Sequence, residues 1–139
     1  MKGDNYHFTL DFSVRDYECD LQGIVNNAVY LHYLEHTRHE FLKSIGLDFF
    51  VLHEKGINAV VTRLEIDYKF PLQSGDRFTV TLNLKKKGSL RYIFIQNIFS
   101  LPEYREILNA RVICTCLYNG KPVLSEDIDR AAACFLKIR

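Results

Sequence analysis

The stretch Asp20-Leu21-Gln22-Gly23-Ile24-Val25-Asn26-Asn27-Ala28-Val29-Tyr30 sets a carboxylate just before a glycine turn and seven residues before a predicted helix start. A helix opens with amides that have no intrahelical acceptor, and its dipole adds positive potential at that end. Such amides stabilise the oxyanion formed when a carbonyl is attacked. A carboxylate beside them serves as nucleophile or as general base on water. Asp20 and the amides near Asn27 therefore have the parts for acyl transfer. The same residues also suit a structural use, in which Asp20 bonds its own turn or caps the helix. Residue types alone leave both open.

Other side chains carry weaker signals. His32 and His36 stand one helical turn apart with Glu35 between them, a spacing that could hold a metal. By helical angle they fall with His39 and Lys43 opposite the apolar face, which favours a solvated or subunit-facing surface and no metal. Glu35 and Arg38, three apart, suit an ion pair of small energetic worth. Lys85-Lys86-Lys87 suits either the phosphates of a nucleotide-bearing ligand or a solvated hairpin end. Arg63 and Arg91 each interrupt a strand pattern and are further phosphate candidates. Cys114 and Cys116 share one face of a strand, a spacing that fits neither a zinc knuckle nor a redox pair. With Cys19 and Cys134 they read as unbridged thiols in a reducing compartment.

The elements that must position Asp20 follow from periodicity. Tyr6, Phe8, Leu10, Phe12 and Val14 alternate with polar residues and predict a strand. After the polar break at residues 16–23, Tyr30, Tyr33, Leu34, Thr37, Phe41 and Ile45 recur at helical spacing. Asn26 or Asn27 is the predicted N-cap and Gly46 the stop, giving a helix of about 18 residues. A short helical piece is expected over Leu47 to Glu54. Period two then returns in four strands: Ile57 to Phe70, Phe78 to Leu84, Leu90 to Ser100 and Ile107 to Tyr118. In the first of these, Val60, Thr62, Leu64, Ile66, Tyr68 and Phe70 are expected on one face. Ser125 caps a final helix reaching about Leu136. One strand, one long helix and four more strands make an α+β domain spanning 1–139.

Composition narrows the class. The chain has 139 residues, 47% hydrophobic and 25% charged, with a formal net charge of +1. No global field recruits nucleic acid or an anionic membrane. No apolar run reaches the roughly 20 residues of a membrane span, and the N-terminal stretch lacks the apolar core of a secretory signal. The expectation is a cytoplasmic protein. A single sheet wrapped on one helix leaves edges that self-association would cover.

The segment from Val14 to Arg38 resembles the signature of 4-hydroxybenzoyl-CoA thioesterase-like hotdog proteins. Its elements are Asp20-x-x-Gly23-x-Val25, Tyr30 opening the helix, then Tyr33-x-Glu35-x-x-Arg38. The resemblance implies a hotdog fold, a five-stranded antiparallel sheet around one long central helix. It implies a homodimer or homotetramer with active sites between subunits, and hydrolysis of an acyl-CoA without cofactor or metal. Carried over by position, Asp20 is the catalytic carboxylate and the Asn27 amide polarises the thioester carbonyl. Gly23, Ile24, Val25 and Tyr30 bind substrate, with Lys85, Lys86, Lys87, Arg63 and Arg91 as phosphate contacts. Related branches carry a histidine at the position of Ile24 or of Asn27, and neither is present here. That departure keeps a non-catalytic module binding acyl-CoA or acyl-carrier protein as the alternative. A dehydratase is disfavoured, since no histidine lies between His7 and His32.

Overall fold

A computed structural model of the chain describes residues 5–136; residues 1–4 and 137–139, the two ends of the expected domain, lie outside the described residues. The strands are β1 (Phe8–Ser13), β2 (Ile57–Tyr68), β3 (Arg77–Lys87), β4 (Arg91–Leu101), β5 (Glu106–Tyr118) and β6 (Lys121–Val123). They form one antiparallel sheet in the order β1-β3-β4-β5-β2, with β6 paired to the end of β5. The curled sheet holds α1 (Asn27–Ser44), which is the expected hotdog arrangement.

Local chemistry sets the ends of α1. The Asn26 side chain accepts from the Ala28 amide at 2.9 Å, so Asn26 is the cap and Asn27 the first helical residue. At the other end Gly46, at φ +90°, donates to the Lys43 carbonyl, and Leu47 donates to that of Leu42. This double bond pattern closes a helix through a left-handed glycine. The predicted apolar stripe of Tyr30, Tyr33, Leu34, Thr37 and Phe41 is buried. It meets Phe78, Val80, Leu82 and Leu84 of β3 and Leu108, Ala110 and Val112 of β5.

Four boundaries differ from the periodicity. β2 ends at Tyr68, and a bulge between Val61 and Arg63 resets its alternation, so the expected single face from Val60 to Phe70 does not form. β6 is an added strand, made because Asn119 (φ 53°) and Gly120 (φ 77°) turn the chain back on itself. The final helix is divided at Ala132 into α3 (Glu126–Ala131) and α4 (Ala133–Leu136). The helical piece before β2 is α2 (Phe49–Glu54), capped by Asp48. Among the described residues no helix is long and apolar enough to cross a membrane.

Candidate active site

Between β1 and α1 the chain makes a single 3-10 turn at Asp16–Glu18 and then lies against the β2–β3 connection. Glu18 organises this loop. Its carboxylate accepts the Arg15 amide at 2.9 Å and the Tyr33 hydroxyl at 2.7 Å, and its carbonyl accepts the Asn26 amide at 3.0 Å. The Val25 amide donates to the Leu72 carbonyl at 2.8 Å, and the Ser74 hydroxyl bonds the Asp16 carboxylate. Leu72 in turn donates its amide to the buried Tyr30 hydroxyl at 3.0 Å. The first two turns of α1, the loop and the β2–β3 connection are thus one hydrogen-bonded unit.

Asp20 opens a turn closed by the Gly23 amide on its carbonyl at 3.0 Å, with Gly23 at φ +81°. That backbone angle favours glycine. One Asp20 carboxylate oxygen accepts the Gln22 amide at 2.8 Å, the structural use foreseen for it. Among the described residues the side chain makes no second bond, and the residue is exposed, so the other oxygen is open to a ligand.

The helix amides differ from one another. Ala28 donates to the Asn26 side chain, and Val29 donates to the Asn26 carbonyl at 2.9 Å. The Asn27 amide has no acceptor among the described residues, and the residue is exposed. It is an open donor at the positive end of an 18-residue helix. The Tyr68 hydroxyl reaches the Asn27 carbonyl at 3.2 Å, with its ring edge-on to Tyr30 at 5.5 Å. Glu18 and Tyr68 were not singled out from the sequence. Glu18 was one polar residue in a polar break, and Tyr68 one more aromatic on a strand.

Of the remaining candidates, Gly23 is exposed and Ile24 half-buried in the Asp20 turn, whereas Val25 and Tyr30 are buried in the core. Lys86 is paired with Asp129 at 2.6 Å and Arg63 with Glu65 at 3.1 Å. Lys87 and Arg91 face each other across the β3–β4 hairpin. Asp76, beside the Asp20 loop, precedes β3, so Lys87 lies roughly 35 Å from it at about 3.3 Å per residue. The cations at this hairpin end are therefore not beside the Asp20 of their own protomer.

The expected Glu35–Arg38 ion pair is replaced. Arg38 donates to the buried Gln96 side chain at 3.0 Å, and Gln96 donates to the Leu34 carbonyl at 3.0 Å. Burial pulls the Arg38 guanidinium below its ordinary value, partly offset by the nearby Cys114 and Glu35. His36 sits against the Phe12 ring and His39 against that of Phe49. Among the described residues no group of three acidic, histidine or cysteine side chains could hold a metal. Cys19, next to Asp20, is not primed as a nucleophile. Desolvation and the carboxylates of Asp16, Asp20 and Glu18 hold its thiol above its usual range.

A cavity of about 500 Å³ opens beside the C-terminal half of α1, between α2 and the start of β2, over β4 and β5. Arg38, Leu42, Phe49, Val60, Phe94 and Cys114 are among its walls.

Comparison with known proteins places this arrangement. The family model of the thioesterase-like superfamily matches residues 14–131. The chain is 39% identical over 118 residues to the chloroplastic acyl-acyl carrier protein thioesterase ATL3 of Arabidopsis thaliana, covering 85% of this chain and 62% of that protein. It is 31% identical over 105 residues to the long-chain acyl-CoA thioesterase FadM of Escherichia coli K12, covering 75% and 78%. The chain spans about three fifths of the length of the two Arabidopsis relatives it matches. The crystal structure of a hypothetical protein from Aquifex aeolicus superposes with a TM-score of 0.83 at 30% identity, over 89% of this chain and 98% of that one. A 1,4-dihydroxy-2-naphthoyl-CoA thioesterase from Synechocystis shares the fold, with a TM-score of 0.87 at 20% identity over 95% and 98%. The matched region takes in the Asp20 loop, the long helix and every strand after β1, and the chain belongs to the thioesterase-like superfamily.

Proposed function

We propose that the chain hydrolyses acyl thioesters, carried on coenzyme A or on acyl-carrier protein, to a free acid and a thiol. The observation that carries this reading is the Asn27 amide at the N-terminus of α1, without an acceptor among the described residues, with Asp20 held in the loop leading into it. Relatives named as thioesterases for both carriers support it. The thioester carbonyl oxygen accepts from the Asn27 amide, which stabilises the negative charge that grows there. Asp20 then acts in one of two ways. As nucleophile it adds to the carbonyl carbon and expels the thiolate, and water cleaves the resulting acyl-aspartyl anhydride. As base it takes a proton from water whose oxygen adds, the C–S bond breaks, and the proton passes to the sulfur. Neither route calls for a metal or an organic cofactor.

The test is release of free thiol from a panel of aliphatic and aromatic acyl-CoAs and an acyl-carrier-protein thioester. Turnover of at least one is expected. Tight binding of the panel without thiol release would make the chain a binding module instead.

The functional unit in this reading is a homodimer or homotetramer. β2 is an edge strand, and Val61, Leu64 and Tyr68 on it are exposed. An open edge with apolar side chains is a template for a second copy. Lys85, Lys87 and Arg91, exposed and outside every ion pair among the described residues, are then the phosphate contacts for a thioester bound at a neighbouring protomer's Asp20. Light scattering is expected to return a multiple of the 16.3 kDa chain mass; a monomer at micromolar concentration would reject the shared site. The unbridged Cys19, Cys114, Cys116 and Cys134 suit the reducing cytoplasm as the place of action.

A further inference from the structure

Tyr30, Tyr33 and Tyr68 meet at the N-terminal end of α1, and two of their hydroxyls are committed. The buried Tyr30 hydroxyl accepts the Leu72 amide at 3.0 Å, and Tyr33 donates to the Glu18 carboxylate at 2.7 Å. Tyr68 differs. It is 48% exposed, and its hydroxyl donates to the Asn27 carbonyl at 3.2 Å. Bonds of the O–H···O type ordinarily end at about 3.0 Å, so this one is weak. A carbonyl at that place in a helix also accepts the amide four residues on. The Tyr68 hydroxyl is therefore readily released to a charged acceptor, which binds a donor about twice as strongly. The ring that carries it is fixed. It stands edge-on to Tyr30 at 5.5 Å, Tyr68 pairs with Leu108 in the sheet, and the next two amides, of Lys69 and Phe70, both donate to the Ile107 carbonyl. A donor held on a strand in this way is preorganised.

Thioester cleavage has a use for it. Of the first three amides of α1 only that of Asn27 is open, because Ala28 and Val29 donate to Asn26. A thioester whose carbonyl oxygen takes that amide receives no donor from them at its sulfur, and the chain has no histidine between His7 and His32 to supply one from the loop. The need is sharpest on the nucleophilic route. The adduct of Asp20 and the thioester expels either the carboxylate or the thiolate, and a carboxylate is a far weaker base than an alkyl thiolate. The adduct therefore falls back to thioester unless charge growing on sulfur is stabilised. Tyr68 is within reach. Its hydroxyl is 3.2 Å from the Asn27 carbonyl oxygen, which covalent geometry sets about 3.5 Å from the Asn27 nitrogen, so hydroxyl and amide are at most about 7 Å apart. A carbonyl oxygen about 2.9 Å from the amide leaves its sulfur, two bonds away, able to bridge that interval.

We infer that Tyr68 is a catalytic residue, whose hydroxyl leaves the Asn27 carbonyl and donates to the sulfur of the thioester as the C–S bond breaks. The electron pair of that bond goes to sulfur. A phenol is a weaker acid than an alkyl thiol, so the proton stays on the tyrosine oxygen and the sulfur departs as a hydrogen-bonded thiolate. The inference rests on the thioesterase reading, and its test separates the two. One acyl group, whichever the wild type turns over fastest, is offered on coenzyme A and on thionitrobenzoate, an aromatic thiol whose thiolate is a much weaker base and leaves unaided. The readout is the single-turnover rate of thiol release with enzyme in excess. Tyr68→Phe keeps the ring against Tyr30 and removes only the hydroxyl. It is expected to slow release of coenzyme A by roughly 10²-fold, the usual effect of losing one transition-state donor. Release of thionitrobenzoate is expected to slow by less than about threefold, since a donor matters less as the leaving group becomes less basic. A structural role for the hydroxyl would slow both substrates alike. Equal losses on the two, or no loss on either, would overturn the role of Tyr68 and leave the thioesterase reading standing. A wild type that releases thiol from neither would overturn that reading, and this role with it.

Discussion

Asp20→Asn is expected to fold as the wild type does and to lose thioester hydrolysis by roughly 10²–10⁴-fold, the usual worth of a positioned base or nucleophile. The substitution keeps the shape of the side chain. An asparagine oxygen still accepts the Gln22 amide that Asp20 holds at 2.8 Å, so the turn into Gly23 is preserved. Asp20 is exposed and in no ion pair among the described residues, so no buried partner is stranded. What disappears is the second oxygen's capacity to attack or to take a proton. The measurement is kcat/KM by thiol release, with a melting curve as the control for folding. Near-wild-type turnover would end the assignment of Asp20. Turnover in ¹⁸O-water tests the nucleophilic route, since an anhydride opened by water at the aspartyl carbonyl leaves label in the Asp20 carboxylate, whereas a general base acquires none.

Asn27→Pro carries the second large effect, a loss of roughly 10²–10³-fold in turnover from deletion of one oxyanion donor. The structure makes this variant well tolerated as a fold. Asn27 is the first helical residue, the position where proline is most at home. Asn26 before it sits at φ −62° and ψ 137°, the extended region that a following proline demands. The amide hydrogen that proline removes bonds nothing among the described residues. Asn27→Ala is the companion. The cap is Asn26, so alanine at 27 is expected to retain both stability and substantial hydrolysis, whereas Asn26→Ala should cost about 1 kcal/mol of stability. If Asn27→Ala were inactive and folded, the side chain would be the working group and the backbone mechanism would have to be abandoned.

The fold was legible where a local pattern has only one way to be satisfied. The stripe from Tyr30 to Phe41 buries one face at helical spacing, and the asparagines before it and Gly46 after it close the ends through bonds spanning a few residues. The strands alternate over stretches long enough to bury one side. The pattern failed where a single residue changed the register. The bulge at Val61–Arg63 moves the β2 side chains that follow, and nothing between Val60 and Phe70 announces it. Asn119-Gly120 ends a strand equally well whether or not another strand follows.

The candidate site divides along the same line. The sequence by itself determined which residues bring chemistry to the loop: a carboxylate, a left-handed glycine and the start of a long helix, all within a dozen positions. Their proximity is local, and the resemblance over Val14 to Arg38 rests on the same short span. Tertiary structure alone decided what each distant group does. It gave Lys86 to Asp129 and Arg38 to Gln96, partners 43 and 58 positions apart, and so withdrew both from the roles their neighbours in sequence suggested. It set Tyr68 against Asn27 across 41 positions and assembled a cavity from three helices and three strands. The physical reason is desolvation. A charged or polar side chain on a strand or helix is indifferent among partners while it is in water, and only the packing that removes the water makes one partner obligatory.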